Sequence, residues 1–175
     1  WTGIKVNTPP ASEPVTVEEL KTHLRLDGTD YDTMLSGYIT ACRDAIEKHT
    51  GRTMISTIYE LYFDNFPFVI ELIRPPVQSI SSIIYVDTDG VSQTLSSSLY
   101  RTDLVSLYPR ISPAHDEKWP DTQDVINAVK VTYTAGYGVA AANVPAPLKE
   151  CIKALAADLF EHPESNVELN LQESR

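Results

Sequence analysis

The spacing of apolar residues predicts a short helix near the N-terminus, over about residues 16–26. Thr16 and Glu19 have the separation of a capping box, in which each side chain accepts a hydrogen bond from the other residue's backbone N–H. The apolar residues behind this cap fall at i, i+3 and i+7, on one face of a helix: Val17, Leu20 and Leu24. We expect the helix to end near residues 27–28, where a glycine follows an aspartate.

Two longer stretches repeat the helical spacing. The first predicts a helix over about residues 30–50, with apolar positions at Leu35, Ile39, Cys42 and Ile46. The second predicts a helix over about residues 147–162, with apolar positions at Leu148, Ile152, Leu155 and Leu159. Pro147 suits the first turn of this helix, where its missing N–H costs nothing.

The segment between the second and third helices, about residues 55–137, has the character of β-structure. β-branched and aromatic residues are concentrated in runs at residues 57–63, 68–73, 80–86, 99–102 and 129–134. Gly90 closes a predicted hairpin turn, because glycine adopts positive φ without strain. Consecutive strands joined by short turns favour antiparallel pairing, so the predicted fold class is α+β. We expect a small helical bundle with an antiparallel β-rich insertion between helices two and three.

The chain ends are predicted to lie outside the single domain, which we place at residues 14–163. Residues 1–13 form an N-terminal arm and residues 164–175 a C-terminal tail. Apolar residues alternate with polar ones in both segments: Ile4 and Val6 in the arm, and Val167, Leu169 and Leu171 in the tail. Termini are commonly disordered. Alternating segments can also add as strands or pegs onto a partner, so these five residues are the candidate partner-binding residues.

Composition excludes several functional classes. Hydrophobic residues make up 42% of the 175 residues and charged residues 22%, as expected of a globular protein with its own core. No apolar run approaches the roughly 20 residues that a membrane-spanning helix needs, and we expect no membrane association. The formal net charge is −10, and basic residues form no cluster, which argues against a domain that grips nucleic acid.

The sequence predicts no catalytic residue, no cofactor and no metal site. Cys42 and Cys151 both fit apolar helix stripes and are expected to be reduced core residues. The densest titratable group is His115, Asp116 and Glu117, and an enzymatic alternative would have to build its site there. Its spacing matches no metal-binding motif, so a solvated surface loop is the favoured interpretation. The glycines of residues 136–138 lack a phosphate-binding pattern and predict a tight turn.

An ordered set of segments, none of them specific alone, resembles a known family. These segments are PVTVEELKTHLRL at 14–26, EKHTGR at 47–52, RPPV at 74–77, YVDTDG at 85–90, WP at 119–120, VTYTAGYG at 131–138 and VPAPLK at 144–149. Together they resemble the head–tail connector (adaptor) proteins of tailed bacteriophages. The resemblance covers roughly residues 14–165.

The resemblance implies a structural protein of the virion neck, made in the host cytoplasm. Family members form rings, usually of twelve copies, beneath the portal vertex. The implied partners are the portal protein, a tail or stopper (head-completion) protein and further copies of the chain. Double-stranded DNA would pass through the lumen without specific binding. The family's C-terminal segments commonly reach the portal, which favours a docking role for the tail. No catalytic residue carries over from this family.

A second hypothesis needs no virion. The chain would be a small non-enzymatic adaptor module that binds a partner by strand addition. Self-assembly distinguishes the two hypotheses, because a module stays small at high concentration whereas a connector forms rings or binds a portal.

Overall fold

The structure, a computed structural model, describes residues 1–162 and divides them into two compact units. The β unit comprises Trp1–Ala11 and Gly51–Val139. The helical unit comprises Ser12–Thr50 and the described residues from Ala140 onwards. Three α-helices and two antiparallel sheets confirm the predicted α+β class and the β-rich insertion between helices two and three.

Helix α1 spans Val17–Leu24 and begins with the predicted capping box. The Glu19 backbone N–H donates to Thr16 Oγ1 at 3.1 Å, and the Thr16 backbone N–H donates to Glu19 Oε2 at 2.8 Å. The helix ends before the expected residues 27–28. Arg25 takes the left-handed conformation, with φ of 58°, and its N–H and that of Leu26 bond back to the last turn. This non-glycine cap carries no signal in the sequence, because glycine usually occupies such a position.

Helices α2, at Asp32–Thr50, and α3, at Ala146–Glu161, complete the helical unit. Pro147 lies in the first turn of α3, as predicted. The buried apolar side chains of the unit come from all three helices and from the segments that precede α1 and α3: Val15, Leu20, Leu35, Ile39, Cys42, Val144, Ile152 and Ala156. The Tyr31 and Phe160 rings meet edge to face at 5.4 Å, which places the start of α2 beside the end of α3.

The predicted buried face of α3 is partly wrong. Cys151 is exposed, and Leu155 is 36% exposed, whereas Ile152 and Ala156 are buried. The helix therefore packs on an i, i+4 face centred on Ile152. Small alanines at positions 154, 156 and 157 leave several faces of α3 able to pack, and contacts with α1 and α2 select one of them.

The larger sheet of the β unit has five antiparallel strands in the order β1-β2-β8-β4-β5. Their bounds in that order are Gly3–Thr8, Thr57–Phe63, Val129–Ala135, Val77–Val86 and Ser92–Thr94. Side chains of β2 and β8 alternate strictly between buried and half-buried, so one face of the sheet covers the core. A smaller sheet, in the order β3-β7-β6, comprises Ile70–Glu71, Arg110–Pro113 and Tyr100–Asp103.

The core of the β unit is one apolar cluster that both sheets supply. Its fully buried members include Leu61, Ile83, Ile111 and Tyr133. The Tyr133 hydroxyl donates to the Ile73 carbonyl at 2.9 Å, so the one polar atom of this side chain is satisfied. Burial raises the pKa of Tyr133 well above its ordinary value, which keeps the phenol neutral.

Residues 136–138 form the predicted tight turn, and it packs against the chain just before β2. The Tyr137 N–H donates to the Met54 carbonyl at 2.9 Å, and the Ser56 N–H donates to the Gly138 carbonyl at 3.0 Å. Gly136 has φ of 125°, and a Cβ at this position would lie 2.7 Å from the Ile55 carbonyl carbon. Only glycine fits this close approach of two backbones.

Candidate interaction surfaces

The N-terminal arm forms the edge strand of the larger sheet. β1 pairs antiparallel with β2 of its own chain, with Ile4 opposite Leu61 and Val6 opposite Tyr59. Ile4 is half-buried against the core cluster, whereas Val6 is 49% exposed. The sequence is compatible with disorder or with pairing to a partner, and the pairing of β1 within its own chain is a finding of the structure. Because β1 is the last strand in the order among residues 1–162, its outer edge is available for strand addition.

The other predicted partner-binding residues belong to the C-terminal tail. Val167, Leu169 and Leu171 fall outside the described residues, and their role stays a prediction.

A groove runs between the C-terminal half of α2 and the first half of α3, entirely within the helical unit. Its volume is about 700 Å³, and its lining is Ala45, Ile46, Lys48, His49, Thr50, Leu148, Cys151 and Leu155. The helical spacing of α3 predicts Cys151 and Leu155 in the core, so it gives no indication of this surface. An open apolar groove of this kind is suited to bind an apolar segment.

The turn between β6 and β7 presents a second apolar surface, which the sequence analysis did not identify. Val105 is 99% exposed, and Leu107 and Tyr108 are also largely exposed. Asp103 supports the turn by accepting hydrogen bonds from the Ser106 hydroxyl at 2.6 Å and from its N–H at 3.2 Å. These bonds from Ser106 lower the pKa of the Asp103 carboxyl. The sequence signal for this surface is the presence of four apolar residues within 104–108, between Asp103 and Arg110.

Ion pairs within the helical unit fix the start of the domain. Arg43, on α2, is buried, and its Nε lies 2.7 Å from Glu13 Oε2. Its Nη1 lies 2.7 Å from Asp44 Oδ1 and 3.0 Å from Glu47 Oε2. The guanidinium thus joins the segment before α1 to α2. It is surrounded by carboxylates, which makes it a structural cation rather than a surface for phosphate.

Carboxylates neutralise part of the basic side chains of residues 1–162. Within these residues, six lysines and arginines lie within ion-pair distance of a carboxylate: Lys21, Arg43, Arg110, Lys130, Lys149 and Lys153. A protein that grips nucleic acid needs unneutralised cations aligned with the backbone phosphates.

The titratable residues singled out in the sequence lie either on the surface or in the core. His115 and Asp116 are both exposed, with His115 Nδ1 3.2 Å from Asp116 Oδ1. Burial raises the pKa of the Cys42 thiol to about 11, so this thiol is protonated at neutral pH and a poor nucleophile. Within residues 1–162, no group of three or more His, Cys, Asp or Glu side chains is placed to hold a metal ion. Nor is any helix of this part of the chain long and apolar enough to cross a membrane.

One family model matches the sequence. Residues 14–98, just under half of the chain, match the model of the phage gp6-like head-tail connector proteins. The matched segment includes α1, α2 and the strands from β2 to β5. No curated protein matches the sequence.

Several solved structures share the fold over nearly the whole chain. A chain from the virion of the native gene transfer agent (GTA) particle superposes with a TM-score of 0.77 at 25% identity, covering 90% of this chain and 84% of that one. A chain from the neck of the empty GTA particle, determined with C6 symmetry, gives a TM-score of 0.76 at 24% identity, covering 91% and 84%. A chain from the neck of the native GTA particle, determined with C12 symmetry, gives 0.69 at 24% identity, covering 90% and 83%.

Proposed function

From the phage gp6-like head–tail connector pattern that residues 14–98 carry, we propose that this chain is a structural connector of the virion neck. The observation that supports the proposal most strongly is the agreement of two independent comparisons. The family match covers the two N-terminal helices and the first strands of the insertion, and the fold of GTA virion and neck chains extends over about 90% of the chain.

The functional form of the connector is a ring. The similar neck chains come from particles determined with C6 and C12 symmetry, and twelve copies is the number that fits both. A closed ring requires a heterologous interface, in which one patch of each copy meets a different patch of the next. The β6–β7 turn and the outer edge of β1 are two unlike surfaces that suit such an interface.

The ring joins the portal on one side and a tail or stopper protein on the other. The tail residues Val167, Leu169 and Leu171 bind the portal, in line with the role that the resemblance assigns to family C-termini. Ile4 and Val6 belong to the arm strand, which offers a main-chain edge to a neighbouring component.

The genome passes through this ring without being held. The chain carries a formal charge of −10, and six basic side chains within residues 1–162 are already ion-paired. An acidic lumen repels phosphate at short range, within a Debye length of about 8 Å at physiological salt. The chain has no enzymatic role in this account, since a connector acts by presenting surfaces.

The alternative function is a small adaptor module that binds its partner by strand addition. One observation favours it: β1 is an edge strand with an apolar side chain, Val6, on its exposed part. Under this alternative the chain binds a peptide and forms no ring.

Binding to the portal tests the proposal. The purified chain is mixed with portal rings encoded beside it in the genome, and the mixture is separated by gradient sedimentation. We expect the chain to sediment with the portal and to lose this behaviour when residues 164–175 are deleted. Retention of helicity by the deletion variant is the control. A chain that stays at the top of the gradient with its cognate portal contradicts the connector function and favours the adaptor module.

A further inference from the structure

The groove between α2 and α3 has the shape and chemistry of a receptor for an extended apolar segment. Leu148, Cys151 and Leu155 line it from α3, and Ala45 and Ile46 line it from α2. Leu155 is 36% exposed and Cys151 is exposed, so an apolar surface stays open to water in the described residues. Covering apolar surface of this kind is favourable by about 25 cal/mol per Å².

The chain itself continues past this groove with a suitable sequence. Helix α3 ends at Glu161 and is followed by His162, after which thirteen residues, 163–175, remain. Their apolar members, Val167, Leu169 and Leu171, alternate with polar residues, so an extended conformation places all three on one side.

The distances allow the tail to reach the groove. At a rise of about 1.5 Å per residue, His162 lies about 10 Å along the α3 axis from Leu155 and about 21 Å from Leu148. An extended chain covers roughly 3.3 Å per residue. Eight extended residues cover about 26 Å, so a segment of the length of 164–171 is long enough to run back from His162 past Leu155 to Leu148.

The charges of the two surfaces are complementary. The groove lining includes the cation of Lys48, at the C-terminal end of α2, and contains no carboxylate. The tail carries glutamates at positions 164, 168 and 173, and its one basic residue is the terminal Arg175. An acidic segment in the groove is thus attracted by Lys48.

We propose that residues 164–171 fold back along α3 and occupy this groove in their own chain, with Val167, Leu169 and Leu171 on its apolar floor. The groove is then the resting site of the tail in the isolated protein. This inference does not depend on the neck function, because it concerns one chain in solution. If the tail also binds the portal, the portal has to displace it from this site.

Cys151 reports directly on the occupancy of the groove. The rate at which a small neutral thiol reagent labels Cys151 is measured in the full chain and in the variant that lacks residues 164–175. If the tail leaves the groove in about 10% of the molecules, Cys151 reacts about tenfold more slowly than a permanently exposed thiol. We therefore expect Cys151 to be labelled about tenfold faster after the deletion. Cys42 is the internal control, since it is buried and its labelling should stay slow in both proteins.

Two tail variants separate apolar docking from charge effects. Val167→Ser, Leu169→Ser and Leu171→Ser together keep every carboxylate and should label Cys151 as fast as the deletion. The matched control substitutes the polar side of the tail, Asn166→Ala, Asn170→Ala and Gln172→Ala, and should keep the protection of the full chain.

The result also depends on which chain supplies the tail. Protection by the chain's own tail is constant over about a hundredfold dilution, because an intramolecular partner has a fixed effective concentration. Equal labelling rates in the full chain and the deletion variant overturn the proposal. Protection that vanishes on dilution overturns it too, because the occupant is then the tail of another copy.

Discussion

Lys149 Nζ lies 2.8 Å from Glu19 Oε1, which ties the first turn of α3 to the first turn of α1 across 130 positions of sequence. The other carboxylate oxygen of Glu19 accepts the Thr16 backbone N–H of the capping box. One side chain therefore completes a local cap and a long-range contact of the helical unit. Through Glu19, the capping box of α1 thus also helps to position α3.

This double role predicts a pH dependence of stability. The hydrogen bond from Lys149, and then that from the Thr16 N–H, lower the pKa of Glu19 below its ordinary value. The unfolded chain binds the proton at higher pH than the folded one, so the contribution is complete above the unfolded pKa of about 4.3 and is lost as the pH falls through the lowered folded pKa. We expect Glu19→Gln to reduce stability at pH 7 and to flatten its dependence on pH below about 5. Urea unfolding across this range measures both effects, and parallel curves for the two proteins would contradict the assignment.

Two glycines are predicted to respond to alanine in opposite directions. Gly136→Ala places a Cβ 2.7 Å from the Ile55 carbonyl carbon at a φ of 125°, and it should destabilise the protein by about 2 kcal/mol or more. Gly37 lies inside α2 with nothing within 4 Å of a Cβ, so Gly37→Ala should stabilise the protein by up to about 1 kcal/mol. Thermal unfolding distinguishes them, and a neutral Gly136→Ala would refute the close approach.

The buried guanidinium of Arg43 is predicted to make a large contribution to stability. Its side chain is 9% exposed and contacts Glu13, Asp44 and Glu47, so Arg43→Met removes the cation that three carboxylates share. Removing one partner of a buried ion pair costs about 3–5 kcal/mol. The exposed Arg101 provides the matched control, and Arg101→Met should change stability by less than about 0.5 kcal/mol. Equal midpoints of denaturation for the two variants would show that the Arg43 cluster is not structural.

Ile4 and Val6 of β1 are predicted to have different roles: Ile4 contributes to the stability of the fold, and Val6 contributes to assembly. Ile4 packs against the core cluster, so Ile4→Ala should destabilise the protein by about 1–2 kcal/mol, less than a fully buried isoleucine would. Val6 is 49% exposed, and Val6→Asp should leave the melting temperature within a few degrees of the parent. If the β1 edge contacts a neighbouring component, Val6→Asp weakens assembly instead. Calorimetry combined with sedimentation separates the two effects, and a large loss of stability in Val6→Asp would count against the assignment.

The sequence predicts correctly those features of the fold that depend on residues close together in the chain. The capping box of α1 and Pro147 in the first turn of α3 each depend on neighbouring residues, and the structure has both. Strands β2, β3, β4, β6 and β8 overlap the β-branched and aromatic runs in the same way, whereas β5 and β7 lie outside every predicted run.

Long-range packing determined what the sequence did not indicate. The spacing of Leu148, Ile152 and Leu155 predicts a helix but does not indicate which face of α3 contacts α1 and α2. It therefore predicts Cys151 in the core, whereas the structure places this residue in the groove. The pairing of β1 with β2 joins segments about 55 residues apart, and the alternation of Ile4 and Val6 carries no information about the partner strand. The left-handed Arg25 ends α1 without a glycine.

The oligomeric state on the cognate portal tests the connector account most directly. Complexes of the chain with portal rings are imaged by electron microscopy, and the symmetry of the added density is determined without imposing any. We expect a closed ring of twelve copies stacked on the portal, with the channel open through both. Portal rings without added density, together with a chain that light scattering shows to be a monomer at every concentration, would contradict the account.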